Sequence, residues 1–424
     1  YCLLLTYKIQ IYFYWTCKNP IFNKFGYLIT NILYYIIVEN ASFMQIEQSK
    51  WTTESGWETT LAAPNINKQK NLVLVFGGRY EISNKDRYNE LATQYPNSDI
   101  VIASTAGEIL GTEVFSNSIV STAIHFEKTA YTIKEISYKN FANSYDMGKS
   151  LALDIDHNNL QHLLIISDGQ LVNGSELTKG LNTYLPAHVS TTGGLAGDDD
   201  RFVKTLVGYN SPPTEGNIIA IGFYGNDFKI GYSSVGGWTS FGPQRIITKS
   251  SGNILYELDG QSALALYKKY LGPKAADLPS SALLFPLSIS LPNKRALVRT
   301  VLSIDEQAQS MIFAGDVPQG AVARLMKANF GCLIDGASDA GINSLGMLTK
   351  NTLPQLTLLI SCVGRKLVLD QHVEEEVESI ANVLGANTAI TGFYSYGEIA
   401  PFTGFLNCEL HNQTMTVTIM SENP

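Results

Sequence analysis

Two arginine and glutamate sets in this chain have the chemistry to grip a small charged molecule. In the first, Arg79 follows the apolar run LVLVFGG and Glu108 follows DIVIASTAG; in the second, Arg365 follows LTLLISCVG and Glu398 follows AITGFYSYG. A carboxylate just past a buried strand needs a partner, because an isolated ionised acid is costly to bury. A guanidinium clamps a carboxylate through paired hydrogen bonds, and a glutamate accepts from an ammonium. Each set therefore suits a zwitterion such as an amino acid, with Ser104, Thr105 and Ser395 as hydroxyls at the same loops. The competing reading is architectural: such groups can equally form pairs that tie loops together.

Parallel strands would bring these side chains to one edge. LVLVFGG (72–78) reads as a buried strand, 84–96 as a helix closed by Pro96, and DIVIAST (99–105) as a second buried strand. A strand-helix-strand step of this length is a parallel crossover, which sets two carboxyl ends side by side where open α/β sheets bind ligands. Alternating strands at 118–127 and 130–139 follow as a hairpin. The order recurs near the carboxyl terminus: a strand over 356–362, a helix with Val373, Val377, Ile380 and Leu384 on one stripe, a strand over 386–395, and ELHNQTMTVTIM as a hairpin. Gly78-Arg79 then aligns with Gly364-Arg365, and the two GEI triplets, 107–109 and 397–399, fall at nearly the same offset. A looser copy runs from LLIISDG (163–169) to VSTTGGLAGDDD (189–200), and 282–327 offers strands for a fourth.

The expected fold is α/β to α+β: repeated strand-helix-strand-hairpin units forming two packed modules with mixed sheets. A chain of 424 residues exceeds what one core usually holds, about 250 to 300. The modules are placed at 71–240 and 261–421, with 241–260 as the boundary and 44–70 as an N-terminal extension. Residues 1–43, rich in Ile, Tyr, Phe, Asn and Lys, are expected to be translated upstream sequence with Met44 as the start, a weak membrane anchor being the alternative.

The formal net charge of −8, with no basic stripe, argues against nucleic acid or an anionic membrane surface as the main partner. Five cysteines without a CxxC pair suggest neither a disulfide framework nor a zinc site, and a reducing, cytoplasmic setting fits. The six histidines show no paired metal spacing, and Asp198, Asp199 and Asp200 read as a solvated turn rather than a calcium loop. No phosphate-binding loop, HExxH or GxSxG elbow occurs. A hydrolase using Ser395 or Cys362 lacks a base and an oxyanion signature, so the chain reads as a non-enzyme.

Taken together, IVIASTAGEI, TTGGLAGDD, GDVPQGAVARLMKA, LLISCVGR, GFYSYGEIAP and LHNQTMTV resemble the FIST family, sensory proteins built from FIST-N and FIST-C modules. The resemblance covers the chain from about residue 71 onward. It implies a bacterial or archaeal intracellular sensor of small ligands, amino acids being the proposed class, that acts through a separate signalling partner. Some stand-alone members are haem proteins that sense nitric oxide and regulate a histidine kinase or a cyclic-di-nucleotide enzyme. A haem needs one axial histidine; the candidates are His125, in an alternating strand, and His372, on the first turn of a polar helix.

Overall fold

Three stretches of the chain fold on one plan. The computed structural model describes residues 44–278, 280–291, 295–349, 352–386, 388–402 and 404–423, so the expectations for 1–43 fall outside it. Each copy has a leading strand, a first and a second strand joined by a crossing helix, a hairpin or short strand, and a closing strand. In the first copy these are Gln45–Thr52, Leu72–Gly77, Asp99–Ser104, Glu108–Leu110 with Glu113–Phe115, and Ile119–His125. The second uses Ala130–Ser137, Leu160–Ser167, Ser190–Leu195, Val207–Tyr209 and Asn217–Tyr224. The third uses Phe228–Val235, Leu356–Cys362, Ala389–Ser395, Gly397–Pro401 with Cys408–His411, and Met415–Glu422.

In all three the first and second strands pair in parallel, as the crossover spacing predicts. The crossing helices are Lys85–Gln94, Gly174–Tyr184 and Val373–Leu384. Asparagine side chains at 84, 143, 173 and 329 accept from backbone N–H groups of the first turn, a cap worth about 1 kcal/mol each.

The hairpins depart from the sequence reading. Strands 119–125 and 130–137 are consecutive in sequence but lie in different sheets, and so do Cys408–His411 and Met415–Glu422. The strands differ in how much they must bury. Met415–Glu422 is buried along its whole length and Ile119–His125 over all but its last residue, so each is placed inside a sheet, whereas Ala130–Ser137 is partly exposed and takes an edge. The turn that changes sheets after the first copy is held by Glu422, whose carboxylate accepts from the N–H groups of Glu127, Lys128 and Thr129 at 2.9, 3.0 and 2.6 Å.

Each copy lends the strand after its second strand to another copy. Glu108–Leu110 of the first pairs with Thr391–Phe393 of the third, Gly397–Ile399 of the third with Gly193–Leu195 of the second, and Val207–Tyr209 of the second with Val101–Ala103 of the first. The exchange closes a ring of three sheets around a shared core in which Phe76, Ile166, Ile221, Ile360 and Phe393 all take part. A glycine stands near each crossing point, at 107, 197 and 397. A Cβ on Gly197 would lie 2.6 Å from the backbone nitrogen of Ala106, so only glycine allows the second copy to approach the first this closely.

Residues 239–327 form an insertion within the third copy, a nine-stranded antiparallel sheet with the helix Ala263–Leu271 and a core that includes Ile247, Leu264, Met311 and Phe313. Among its described residues every strand pair is antiparallel, so it is not a fourth copy. The 241–260 stretch contributes the strands Arg245–Ser251 and Ile254–Leu258 to it. Among the described residues no helix is long and apolar enough to cross a membrane.

Candidate ligand site and the loops that frame it

The ring of exchanges aligns three carboxyl side chains. Thr105-Ala-Gly-Glu108, Leu195-Ala-Gly-Asp198 and Ser395-Tyr-Gly-Glu398 each leave a second strand and place a buried acid three residues on. Glu108 accepts from Thr105 Oγ1 at 2.5 Å and Ser118 Oγ at 2.7 Å. Glu398 repeats the device, accepting from Ser395 Oγ at 2.7 Å and from Thr414 through its hydroxyl at 2.9 Å and its N–H at 3.2 Å. In both, one hydroxyl precedes the acid by three residues and the other lies beside the start of the closing strand. Burial outweighs these donors and pushes the carboxyl pKa up, to about 7 for Glu108 and about 8 for Glu398. Asp198 instead meets cations, Arg79 at 3.0 Å and Arg201 at 2.8 Å.

The arginines therefore find other partners than the sequence pairing suggests. Arg79 crosses from the first copy to Asp198 of the second. Arg365 is fully buried and donates to Glu376 from Nε at 3.0 Å and Nη2 at 2.8 Å, and to the carbonyls of Gly236 and Leu333. Glu376 also accepts from Ser361 Oγ at 3.1 Å and from the Tyr394 hydroxyl at 2.6 Å. That hydroxyl is held well above its ordinary pKa, first by burial and then by the neighbouring carboxylate. Ser104 ties the second copy's loop to the first: its Oγ accepts from the N–H of Leu206 at 2.8 Å and its carbonyl from Gly197 at 2.9 Å. Of the seven expected contacts, Ser104, Thr105 and Glu108 come together at one junction and Ser395 and Glu398 at another, while each arginine serves a different acid.

Beside these loops lies a cleft of about 630 Å³. Its walls are Asp200 and Phe202 from the second copy, Leu367 on the helix Val363–Leu369, and Lys274, Asp277, Ser281, Leu283, Leu284, Val301 and Leu302 from the insertion. Apolar surface thus meets charged groups of both signs, the make-up of a site for a small molecule with an apolar body and charged ends. The helix that carries Leu367 also carries the buried Arg365, and Lys366 between them donates to the carbonyl of Ala106 at 2.6 Å and to Ser116 Oγ at 2.8 Å. The cleft wall is therefore one residue from the first GEI loop.

The two haem-ligand candidates stand apart from the cleft. His125 Nδ1 lies 3.1 Å from the carbonyl of Lys70, with Glu127 beside Nε2 at 4.0 Å. His372 is half exposed, with Glu375 at 2.6 Å from Nδ1 and the Phe330 ring at 5.7 Å. Neither setting is the apolar pocket that a haem requires. Among the described residues no three His, Cys, Asp or Glu side chains cluster as a metal site.

Comparison with protein-family models matches residues 71–261 to the FIST N domain and residues 263–401 to the FIST C domain. The chain belongs to the FIST family. FIST domains are sensory modules that bind small ligands in signal transduction. A comparison with curated proteins finds no significant match. In this FIST protein Asp200 and Phe202 fall within the FIST N match and the rest of the cleft within the FIST C match, so the cleft is a seam between the two domains.

Several residues of this framework escaped the sequence reading. Glu376 was legible: it falls three residues after Val373 and four before Ile380, on the buried stripe of its helix. Asp198, expected in a solvated turn, is buried between Arg79 and Arg201; its place directly after a glycine and just past a strand end, shared with Glu108 and Glu398, was the legible signal. The cleft residues Lys274, Asp277, Ser281, Leu283 and Leu284 have no motif that announces them.

Proposed function

We propose that this FIST protein is an intracellular sensor that holds an amino-acid-like ligand in the seam cleft and passes its occupancy to a separate signalling partner. The cleft itself carries the reading, with its apolar walls and its combination of Lys274 with Asp200 and Asp277. A zwitterion with an apolar side chain offers a carboxylate to the lysine, an ammonium to the aspartates and its side chain to Leu283, Leu302 and Leu367. Arg365, Glu398 and their counterparts act behind it, as the buried framework that fixes the walls.

A thermal-shift panel of amino acids tests the proposal, run on the wild type and on Leu302→Trp. Leu302 is partly exposed in the cleft, so the indole fills space that a ligand needs. The expected result is a saturable stabilisation by one compound or a related group, about 2.7 kcal/mol at a hundredfold excess over Kd, that the tryptophan variant lacks. A response of equal size in both proteins would place the ligand elsewhere.

A further inference from the structure

Two residues of the loop that forms one cleft wall occupy the left-handed region of backbone space. Asp199 and Phe202 both have φ of 52°. Aspartate tolerates this conformation, but for a phenylalanine it is an outlier that persists only where the surroundings impose it. Tyr396 supplies that constraint. Its hydroxyl accepts the N–H of Phe202 at 3.0 Å and donates to the carbonyl of Asp199 at 3.1 Å, and its ring stacks on Phe202 with centroids 4.5 Å apart.

The same loop is tied to all three copies. Asp198 pairs with Arg79, and the N–H groups of Gly197 and Asp199 donate to the carbonyls of Ser104 and Thr105 at 2.9 and 3.1 Å, which fastens it to the first copy. The Asp199 carboxylate lies 3.5 Å from Lys366 of the third copy, and Lys366 reaches back to the first GEI loop. Asp200 and Phe202 face the cleft. Any displacement of Phe202 thus acts on the cleft, on Tyr396 and, through Asp199, on the contact between the first and third copies.

We propose that the 198–202 loop is a two-state latch. In the closed state Tyr396 holds Phe202 in its strained backbone; in the open state Phe202 relaxes to negative φ, leaves the Tyr396 ring and loosens the Asp199–Lys366 contact. Cleft occupancy sets the balance by binding one state better than the other, which is all a ligand can do to such an equilibrium. The role of the ligand rests on the sensor reading above, whereas the latch can be observed without one.

Hydrogen exchange on the full chain, with no ligand added, tests it. Tyr396→Phe keeps the ring stack and removes both hydroxyl bonds, so the amides of 199–203 should exchange about tenfold faster while those of Leu356–Cys362 keep their rate. Asp199→Asn, which cuts the ion pairs but retains a residue tolerant of positive φ, should speed the same amides about threefold and serves if Tyr396→Phe does not fold. Loop amides that exchange as in the wild type, or that accelerate only together with the core strands, would refute the latch. A flat amino-acid panel with a fast loop in Tyr396→Phe would instead refute the ligand reading and leave the latch standing.

Discussion

Replacing Glu398 with glutamine should change how stability depends on pH, and the structure fixes the sign. Burial lifts the folded-state pKa of Glu398 from an ordinary 4.5 to about 8. Between those values the folded protein keeps a proton that the unfolded chain has released, so stability falls as pH rises through the window and levels off above about 8. The slope is about 1.4 kcal/mol per pH unit where the two states differ by one proton. Glu398→Gln cannot titrate and lacks this slope. At pH 5.5 the variant should be the less stable, by about 1–3 kcal/mol, because its amide nitrogen carries two donors where the protonated carboxyl group carries one, and an added buried donor beside Ser395 and Thr414 costs free energy unless it finds an acceptor. Towards pH 8 the gap should close and then reverse. Glu108, with its own raised pKa of about 7, contributes equally to both proteins and cancels in the difference. Denaturant midpoints measured from pH 5.5 to 8.5 give the answer. A constant offset across that range would mean that Glu398 is ionised in the folded state at neutral pH, and the account of a buried, protonated Glu398 would be wrong.

Three further outcomes follow from the same packing. Arg365→Met should cost about 3–5 kcal/mol by stranding Glu376, and Arg365→Met with Glu376→Leu should recover much of it; equal losses in the single and double variants would show that the pair is not the issue. Gly197→Ala should destabilise by about 1–3 kcal/mol, read by thermal unfolding, because its Cβ would press on the backbone of Thr105 and Ala106, which cannot turn aside as a side chain can. Glu422→Gln should cost about 1.5–3 kcal/mol, since three backbone N–H groups converge on that carboxylate, and exchange at 127–129 should rise with it.

Local pattern carried much of the fold. The apolar runs at 72–77, 160–167 and 356–362 and the stripe from Val373 to Leu384 are dictated by neighbours in sequence, so the parallel pairs and the crossing helix could be read directly. Pairing between Glu108–Leu110 and Thr391–Phe393 joins residues almost three hundred positions apart, and no period or turn signal records it. That exchange explains why each arginine meets an acid other than the GEI glutamate of its own copy: once the hairpin leaves its sheet, its acid leaves too. The repeated GEI loop is thus the place where one copy hands a strand to another, and glycine and a buried acid both serve that crossing. The cleft was beyond reach because its walls come from three segments far apart in sequence, the 200–202 loop, the insertion and the helix Val363–Leu369.

The most direct test of the sensor account is the amino-acid titration of the wild type against Leu302→Trp, followed by thermal shift. A saturable shift present in the wild type and lost in the variant, with the unliganded stabilities of the two within about 1.5 kcal/mol, is the predicted result. Stabilisation that survives in Leu302→Trp, or a panel to which the wild type makes no response, would contradict the claim that the FIST N and FIST C seam is where this protein senses.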